Sequence, residues 1–146
     1  MKDGLKLYAI DADDVTVMSA ALEGAITSPG EISYSSKSRQ LTLTASRVRW
    51  ENDSDPEKGG SRIRSGVLIT DVLSIRAKSI PQDNPTMAME LLSIQTHLKD
   101  DGHATLTLNF ADDKALSLEV ECINAALTDV GDPWDTEKIP SHDLEG

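Results

Sequence analysis

The segment Leu116–Trp134, LSLEVECINAALTDVGDPW, decides the predicted fold because its hydrophobic period changes partway through. Leu116, Leu118 and Val120 alternate with polar residues, as in a strand with one buried face. The later apolar residues recur at helical spacing; they are Cys122, Ile123, Ala126, Leu127 and Val130. We therefore predict a strand followed by a short helix that ends at Gly131.

Upstream of this segment, the periodicity predicts one helix and a series of strands. A short first strand begins at Leu5, and Asp11 is placed to cap a helix from Ala12 to about Gly24. Seven further strands are predicted near residues 31–36, 39–50, 62–70, 72–78, 90–98, 103–110 and 115–121. This order predicts an α+β fold of mostly antiparallel strands. The expected architecture is a pleckstrin-homology-like barrel or sandwich with an N-terminal helix and a C-terminal capping helix, or else a looser antiparallel sheet flanked by two helices.

The direction of the side chains after Ala45 depends on a predicted irregularity. Val48 and Trp50 are out of phase with the alternation over Leu41–Ala45, so a β-bulge near Ser46 would return them to the core.

The register of the last hairpins follows from the rule that two paired residues point to the same face of a sheet. If Leu98 faces the core, its partner is Ala104, which leaves Asp100–Gly102 as the turn; Phe110 is then expected opposite Leu116. One buried cluster is predicted from Leu92, Ile94, Leu98, Leu106, Leu108, Phe110, Leu116, Leu118, Val120, Ile123 and Leu127.

Length and composition indicate a single domain. The chain has 146 residues, 38% of them hydrophobic, which suits one core over residues 1–146 with a loosely ordered tail from 132 to 146. The absence of an apolar run of roughly 18 residues and of a basic-then-apolar N-terminus favours a cytoplasmic protein. The one cysteine, Cys122, excludes an internal disulfide and is expected to be a buried, inert side chain.

The charge distribution restricts the kinds of partner. A formal net charge of −11 argues against general affinity for nucleic acids or anionic membranes. Residues 37–78 nevertheless carry nine basic and five acidic residues, a net charge of +4, whereas the remainder carries −15.

Several residue groups have the composition of catalytic or metal sites but favour plainer interpretations. His97 and His103 flank one turn without a third ligand, so a surface pair is favoured over zinc binding. Ser141, His142 and Asp143 are adjacent in a coil-like segment and cannot converge as a triad.

A pair of glutamates and a pair of glycines also favour structural interpretations over catalytic or phosphate-binding ones. Glu119 and Glu121 favour a solvated edge over a carboxylate pair, and Gly59-Gly60 lacks the residues of a phosphate loop. We therefore predict no catalytic residue, no metal ligand and no cofactor.

One basic surface is predicted from the alternation of three strands. With the bulge in place, six cations point away from the core and share one sheet face if their strands are neighbours: Arg47, Arg49, Arg62, Arg64, Arg76 and Lys78. Such a face either keeps the sheet soluble or binds an anion or an acidic partner, since arginine makes bidentate contacts with carboxylates and phosphates.

Three segments also resemble a known family. LKLYAIDADDVTVMSAALEGAI, RIRSGVLITDVLSIRAKSI and LSLEVECINAALTDVGDPW are similar to an uncharacterised alphaproteobacterial family, the domain of unknown function 2948. The resemblance implies a small cytoplasmic bacterial protein with no assigned activity, and it assigns no functional residue.

Two functional interpretations follow. The first is a non-catalytic cytoplasmic interaction module that binds an acidic protein partner through the basic sheet face. The alternative is an enzyme or accessory subunit that acts on a small anionic metabolite. A preformed pocket holding two or more of the named arginines would favour this alternative, whereas a flat stripe with no cleft would favour the first. The oligomeric state stays open at this point.

Overall fold

The computed structural model describes residues 4–50 and 60–136, which form one antiparallel sheet and one α-helix. Helix α1 spans Ala12–Leu22. The ten strands described are β1 (Lys6–Ala9), β2 (Ile26–Thr27), β3 (Ile32–Ser35), β4 (Gln40–Val48), β5 (Gly60–Ile69), β6 (Val72–Lys78), β7 (Met89–Leu98), β8 (Ala104–Phe110), β9 (Lys114–Val120) and β10 (Ala125–Thr136).

The strand order determines which edges are open. Neighbouring strands run β1-β10-β5-β4-β2-β7-β8-β9-β6, and β3 lies off this path, paired with β4. The short strand β2 connects the two halves, because Ile26 pairs with Ser46 of β4 and with Glu90 of β7. Among the described strands, β6 therefore has one partner, β9, and β3 has one partner, β4.

Helix α1 forms as the sequence predicts. The Asp11 carboxylate accepts a 2.8 Å hydrogen bond from the backbone N–H of Asp14, which satisfies one of the free donors at the helix start. Val15, Met18 and Leu22 lie on one face and are buried in the core. The helix ends at Leu22, two residues before the predicted end at Gly24.

The predicted C-terminal helix is wrong, because Ala125–Thr136 forms strand β10. Ala125 and Leu127 point into the core, and β10 pairs with β1 on one side and β5 on the other. Gly131, at φ 73°, marks a break in the β5 register between Val130 and Trp134, where it permits a bulge instead of ending a helix.

This strand changes two larger predictions. Without a C-terminal helix, the described residues lack the element that closes a pleckstrin-homology-like barrel; the α+β architecture rests instead on α1 and an open antiparallel sheet. Residues 132–136, predicted as the start of a loose tail, belong to β10, and the rest of that tail lies outside the described residues.

The predicted bulge near Ser46 is also wrong. Strand β4 keeps an unbroken register with β5 from Leu41 opposite Ile69 to Val48 opposite Arg62. The alternation of Leu41–Ala45 therefore continues, so Arg47 points inward.

The hairpins of β7, β8 and β9 follow the predicted register in part. Leu98 pairs with Ala104 as predicted, across a turn in which Gly102 has φ 81° and Asp101 has φ 59°. Phe110 pairs with Lys114 and not with Leu116, which lies opposite Leu108.

The core contains most of the predicted cluster. Nine of the eleven predicted residues are buried together: Ile94, Leu106, Leu108, Phe110, Leu116, Leu118, Val120, Ile123 and Leu127. Leu92 and Leu98 are exposed instead, by 46% and 62%. A register shift between Leu91 and Ser93 turns Leu91 inward in place of Leu92, and Leu98 lies at the end of its strand.

Candidate interaction surface

The six predicted surface cations do not share one face. Arg47 lies on β4, and Arg62 and Arg64 lie on the adjacent β5. Arg76 and Lys78 lie on β6, whose described partner is β9 at the other end of the strand order. The continuous basic face predicted from the sequence is therefore divided between separate parts of the sheet.

Arg47 is a buried structural residue. Its side chain is fully buried and forms a bidentate pair with Asp129 of β10, with Nε–Oδ1 and Nη2–Oδ2 distances of 2.8 and 2.7 Å. Ser65 Oγ and the backbone N–H of Leu5 also donate to this carboxylate, at 2.6 and 2.8 Å. Burial raises the pKa of Asp129, but the donors, Arg47 first among them, outweigh burial, so its pKa lies below the usual value.

This ion pair explains why two opposite charges occur within apolar patterns. Arg47 and Asp129 hold β4 and β10 together across β5, and the Leu5 contact attaches the chain before β1. A buried ion pair of this geometry satisfies its own hydrogen bonds and leaves no charge free for a partner.

The other cations of β4 and β5 are also engaged. Arg49 donates to Ser61 Oγ at 3.2 Å, and Arg62 donates to the Ser46 carbonyl at 2.8 Å. Burial lowers the pKa of Arg62. Arg64 forms an ion pair with Glu31. These contacts are made within the chain, so an external anion would have to compete with them for each arginine.

The β6 cations differ because their strand is exposed on both faces. Every residue from Leu73 to Lys78 is exposed. Lys78 contacts Asp113 at 3.2 Å, but both side chains remain largely in water, so the pair is weak. The hydrogen bond from Lys99 lowers the pKa of Glu119 against a smaller effect of burial, and the Arg76 charge adds to that lowering. Arg76 and Lys78 are thus the two predicted cations on an accessible strand.

A seam separates β6 from β3. Tyr34 of β3 donates its hydroxyl hydrogen to the Val72 carbonyl of β6 at 3.1 Å. Paired strands bond through their backbones, whereas the contact between these two strands is made by a tyrosine side chain. The two strands are neighbours at this end, and no backbone pairing joins them within the described residues.

The seam is lined by apolar side chains that point towards the interior. Ile75 lies opposite Leu118, and Ala77 lies opposite Leu116, so each pair shares the inner face of the sheet. Leu118 is fully buried, yet Ile75 is 37% exposed. A cavity of about 220 Å³ lies here, lined by Pro29, Ile32, Tyr34, Ile75, Ala77, Ile80, Gln82 and Leu116.

The two histidines and Glu119, which the sequence offered as candidate sites, lie at the surface, and His103 and Glu119 have structural contacts. His97 is exposed, and the ring of His103 lies 3.1 Å from the Asp100 carbonyl oxygen. Among the described residues, no three histidine, cysteine or acidic side chains are placed to hold a metal ion. Glu119 accepts hydrogen bonds from Lys99 and Thr105, which gives it a structural role.

Two other sequence candidates fall partly or wholly outside the description. Ser141, His142 and Asp143 lie outside the described residues, as does Gly59, while Gly60 is buried in β5.

The expected burial of Cys122 is wrong. Its side chain is exposed in the turn between β9 and β10, and Sγ donates to Asp71 Oδ2 at 3.3 Å. This hydrogen bond, reinforced by partial burial and by nearby negative charge, raises the pKa of the thiol.

Sequence analysis missed the seam because the pattern shows which residues alternate but not which strands lack a neighbour. The sequence does indicate that β6 has one solvent-exposed face, because Leu73, Ile75 and Ala77 alternate with Ser74, Arg76 and Lys78. The exposure of both faces depends on the strand order alone.

Comparisons with known proteins give one match. The model of a family described as "Protein of unknown function (DUF2948)" matches residues 5–142. No curated protein and no solved structure matches. Within the described part of the chain, no helix has the length and apolar character required to cross a membrane.

Proposed function

We propose that this chain, which belongs to the DUF2948 family, is a non-catalytic interaction module that binds an acidic protein partner through the exposed edge of β6. The proposal keeps the partner class expected from the sequence. It replaces the six-residue basic face by Arg76 and Lys78.

The observation that carries this proposal is the exposure of edge strand β6 from Leu73 to Lys78. Leu73 and Ile75 are 45% and 37% exposed, and Arg76 and Lys78 follow them along the strand. An unpaired edge with apolar and cationic side chains is a template for another strand, and natural proteins usually cover or shorten such edges. Binding of an extended partner segment at a sheet edge is a common mode of peptide recognition.

The cavities support binding over chemistry on a small metabolite. Sites for small molecules usually enclose roughly 300–1,000 Å³. The seam cavity and two other shallow cavities measure about 220, 230 and 160 Å³, and Arg76 is the one member of the six predicted cations that lines any of the three. Two arginines in one pocket, which would favour a metabolite enzyme, are not found in these three cavities.

The cellular setting is also part of the proposal. The resemblance of the three sequence segments to an alphaproteobacterial family supports a bacterial, cytoplasmic protein, and a single cysteine is compatible with that compartment.

A peptide selection tests the proposed function. A displayed library of random twelve-residue peptides is selected on the wild-type chain and on the Arg76→Glu/Lys78→Glu variant. We expect the wild type to enrich acidic peptides and the variant to lose that enrichment. The matched control is Lys6→Glu/Arg64→Glu, which changes the net charge equally on β1 and β5 and should keep the acidic enrichment.

Two further points keep this test decisive. The Arg76→Gln/Lys78→Gln variant removes the two positive charges without adding negative ones, and it should also reduce the acidic enrichment. Circular dichroism of every variant checks that the reduction does not come from misfolding. Equal enrichment on the β6 variant and the control, or no preference for acidic peptides on the wild type, would overturn the proposal.

A further inference from the structure

The seam between β3 and β6 presents two strand edges to each other. One end of the seam is closed, because the Tyr34 hydroxyl donates to the Val72 carbonyl and the Val72 N–H donates to the Arg39 carbonyl at 3.0 Å. Along the rest of the seam, no strand pairing joins β3 to β6 among the described residues. The two edges run on opposite sides of the same cavity, with Ile32 and Tyr34 on one wall and Ile75 and Ala77 on the other. A segment in the seam could therefore form hydrogen bonds with β3, with β6 or with both.

The inner side of the seam accepts apolar side chains. Its walls are apolar or aromatic except for Gln82, and Leu116, which is 3% exposed, contributes to the lining from the core. A volume of about 220 Å³ is too small for a typical metabolite but is suited to one or two side chains of an inserted segment. Burial there would also cover Ile75, which points inward but remains accessible.

The outer side of the seam favours acidic side chains. Arg76 and Lys78 alternate with the inward residues of β6 and therefore project from the outer face. Asp113 contacts Lys78, and Glu119 lies near Arg76, so an acidic partner residue competes with these two carboxylates for the cations. On the opposite wall, Ser33 and Ser35 are exposed and uncharged. Since a strand places successive side chains on opposite faces, a segment in the seam meets apolar surface at one residue and positive charge at the next.

We infer that the occupant of this seam is an extended protein segment of alternating apolar and acidic residues, which inserts as an additional strand between β3 and β6. This inference rests on the proposed function and specifies both the partner's chemistry and its position. The apolar residues fill the space beside Ile75 and Ala77, and the acidic residues lie next to Arg76 and Lys78.

Charge complementarity distinguishes this occupant from a second copy of β6. A second β6 would bring its own Arg76 and Lys78 to a strand that already carries them. An acidic segment instead pairs with the local positive charge.

Backbone methylation tests the insertion directly. The probe is an eight-residue peptide that alternates Val and Glu, capped at both ends and labelled for fluorescence anisotropy. Two further versions carry N-methyl groups at the Val residues or at the Glu residues. A strand inserted between two edges directs the N–H groups of its Val residues to one edge and those of its Glu residues to the other. Each methylated version should therefore bind at least about tenfold more weakly than the parent peptide.

The possible results separate the inference from the function on which it rests. If one methylated version binds like the parent, the peptide pairs with a single edge; the proposed function then stands and the insertion between β3 and β6 is overturned. If the parent peptide fails to bind, or if a Val/Lys peptide binds equally well, both are overturned.

A pair of matched variants locates the bound peptide. Ile75→Glu introduces a carboxylate among the apolar walls and should abolish binding of the Val/Glu peptide. Leu68→Glu is the control, because Leu68 is 36% exposed on β5, close to the 37% of Ile75, and lies outside the cavity lining. Equal loss of binding in the two variants would contradict the location.

Discussion

Arg47 and Arg76 are the same residue type in similar strand patterns, yet the molecule uses them in opposite ways. Arg47 lies on β4, which has neighbours on both sides, and its charge is buried against Asp129. Arg76 lies on β6, which pairs with β9 and has an open outer edge within the described residues. The position of a strand in the sheet, more than its own sequence, therefore determines whether a cation stabilises the fold or remains available for a partner.

The largest expected effect comes from removing the buried charge pair. Asp129→Asn keeps the size of the side chain but leaves the buried Arg47 without its counter-charge, which should cost about 3–5 kcal/mol of unfolding free energy. The control is Asp113→Asn, which removes the largely exposed partner of Lys78 and should cost less than about 1 kcal/mol. Urea unfolding of both variants measures the difference; similar costs would mean that the Arg47 pair is accessible to water.

The same pair predicts how stability depends on pH. Because the pKa of Asp129 is lower in the folded chain than the value of about 3.9 for a free aspartate, its contribution is present above about pH 4. That contribution is lost as the pH falls through the folded-state pKa. The unfolding free energy of the wild type should therefore approach that of Asp129→Asn in acid. A constant difference between the two proteins from pH 6 down to pH 2 would contradict this linkage.

Two residues that lie opposite each other allow the stability contributed by the closed core to be compared with that contributed by the seam. Leu118 and Ile75 lie opposite each other on the same inner face. Leu118→Ala should cost about 2–5 kcal/mol because it leaves an enclosed cavity. Ile75→Ala should cost about 1 kcal/mol or less, because its side chain is already partly in water. Equal losses in urea melts would show that the seam is filled in solution.

The smallest effect concerns Cys122, at the far end of β9. The hydrogen bond to Asp71 raises the thiol pKa, so exposed Cys122 should react slowly with a thiol reagent near neutral pH. Asp71→Asn removes the negative acceptor and should increase the labelling rate without changing the exposure. Rapid labelling of the wild type, at the rate of the variant, would contradict the assigned role of Asp71.

Local patterns predicted individual elements well and their assembly poorly. The helix at Ala12–Leu22 was predictable because a cap, acidic first-turn residues and a regular apolar face agree. The segment Ala125–Thr136 was not, since Ala126, Leu127 and Val130 match helical spacing while Ala125, Leu127 and Asp129 match a strand. Pairing with β1 and β5 resolves this ambiguity in favour of the strand.

In the candidate surface, too, local features could be predicted from the sequence but the arrangement of the strands could not. The inward position of Arg47 was visible as an unbroken alternation, but two apolar residues in the opposite phase suggested a bulge instead. Val48 is in fact buried on the other side of β4, so at this point both faces of the strand are covered. The seam could not be predicted, because it arises where β6 and β3 each have one paired side among the described strands, which no local pattern records.

An NMR titration of the labelled chain with the Val/Glu peptide compares the two regions in one measurement. The amide resonances of β3, β6 and Leu116 should shift on addition of the peptide, while those of Arg47, Ser65 and Asp129 remain in place. Shifts centred on β4, β5 and β10, or no shifts in β6, would contradict the account that the open seam, and not the closed sheet around Arg47, is the binding site.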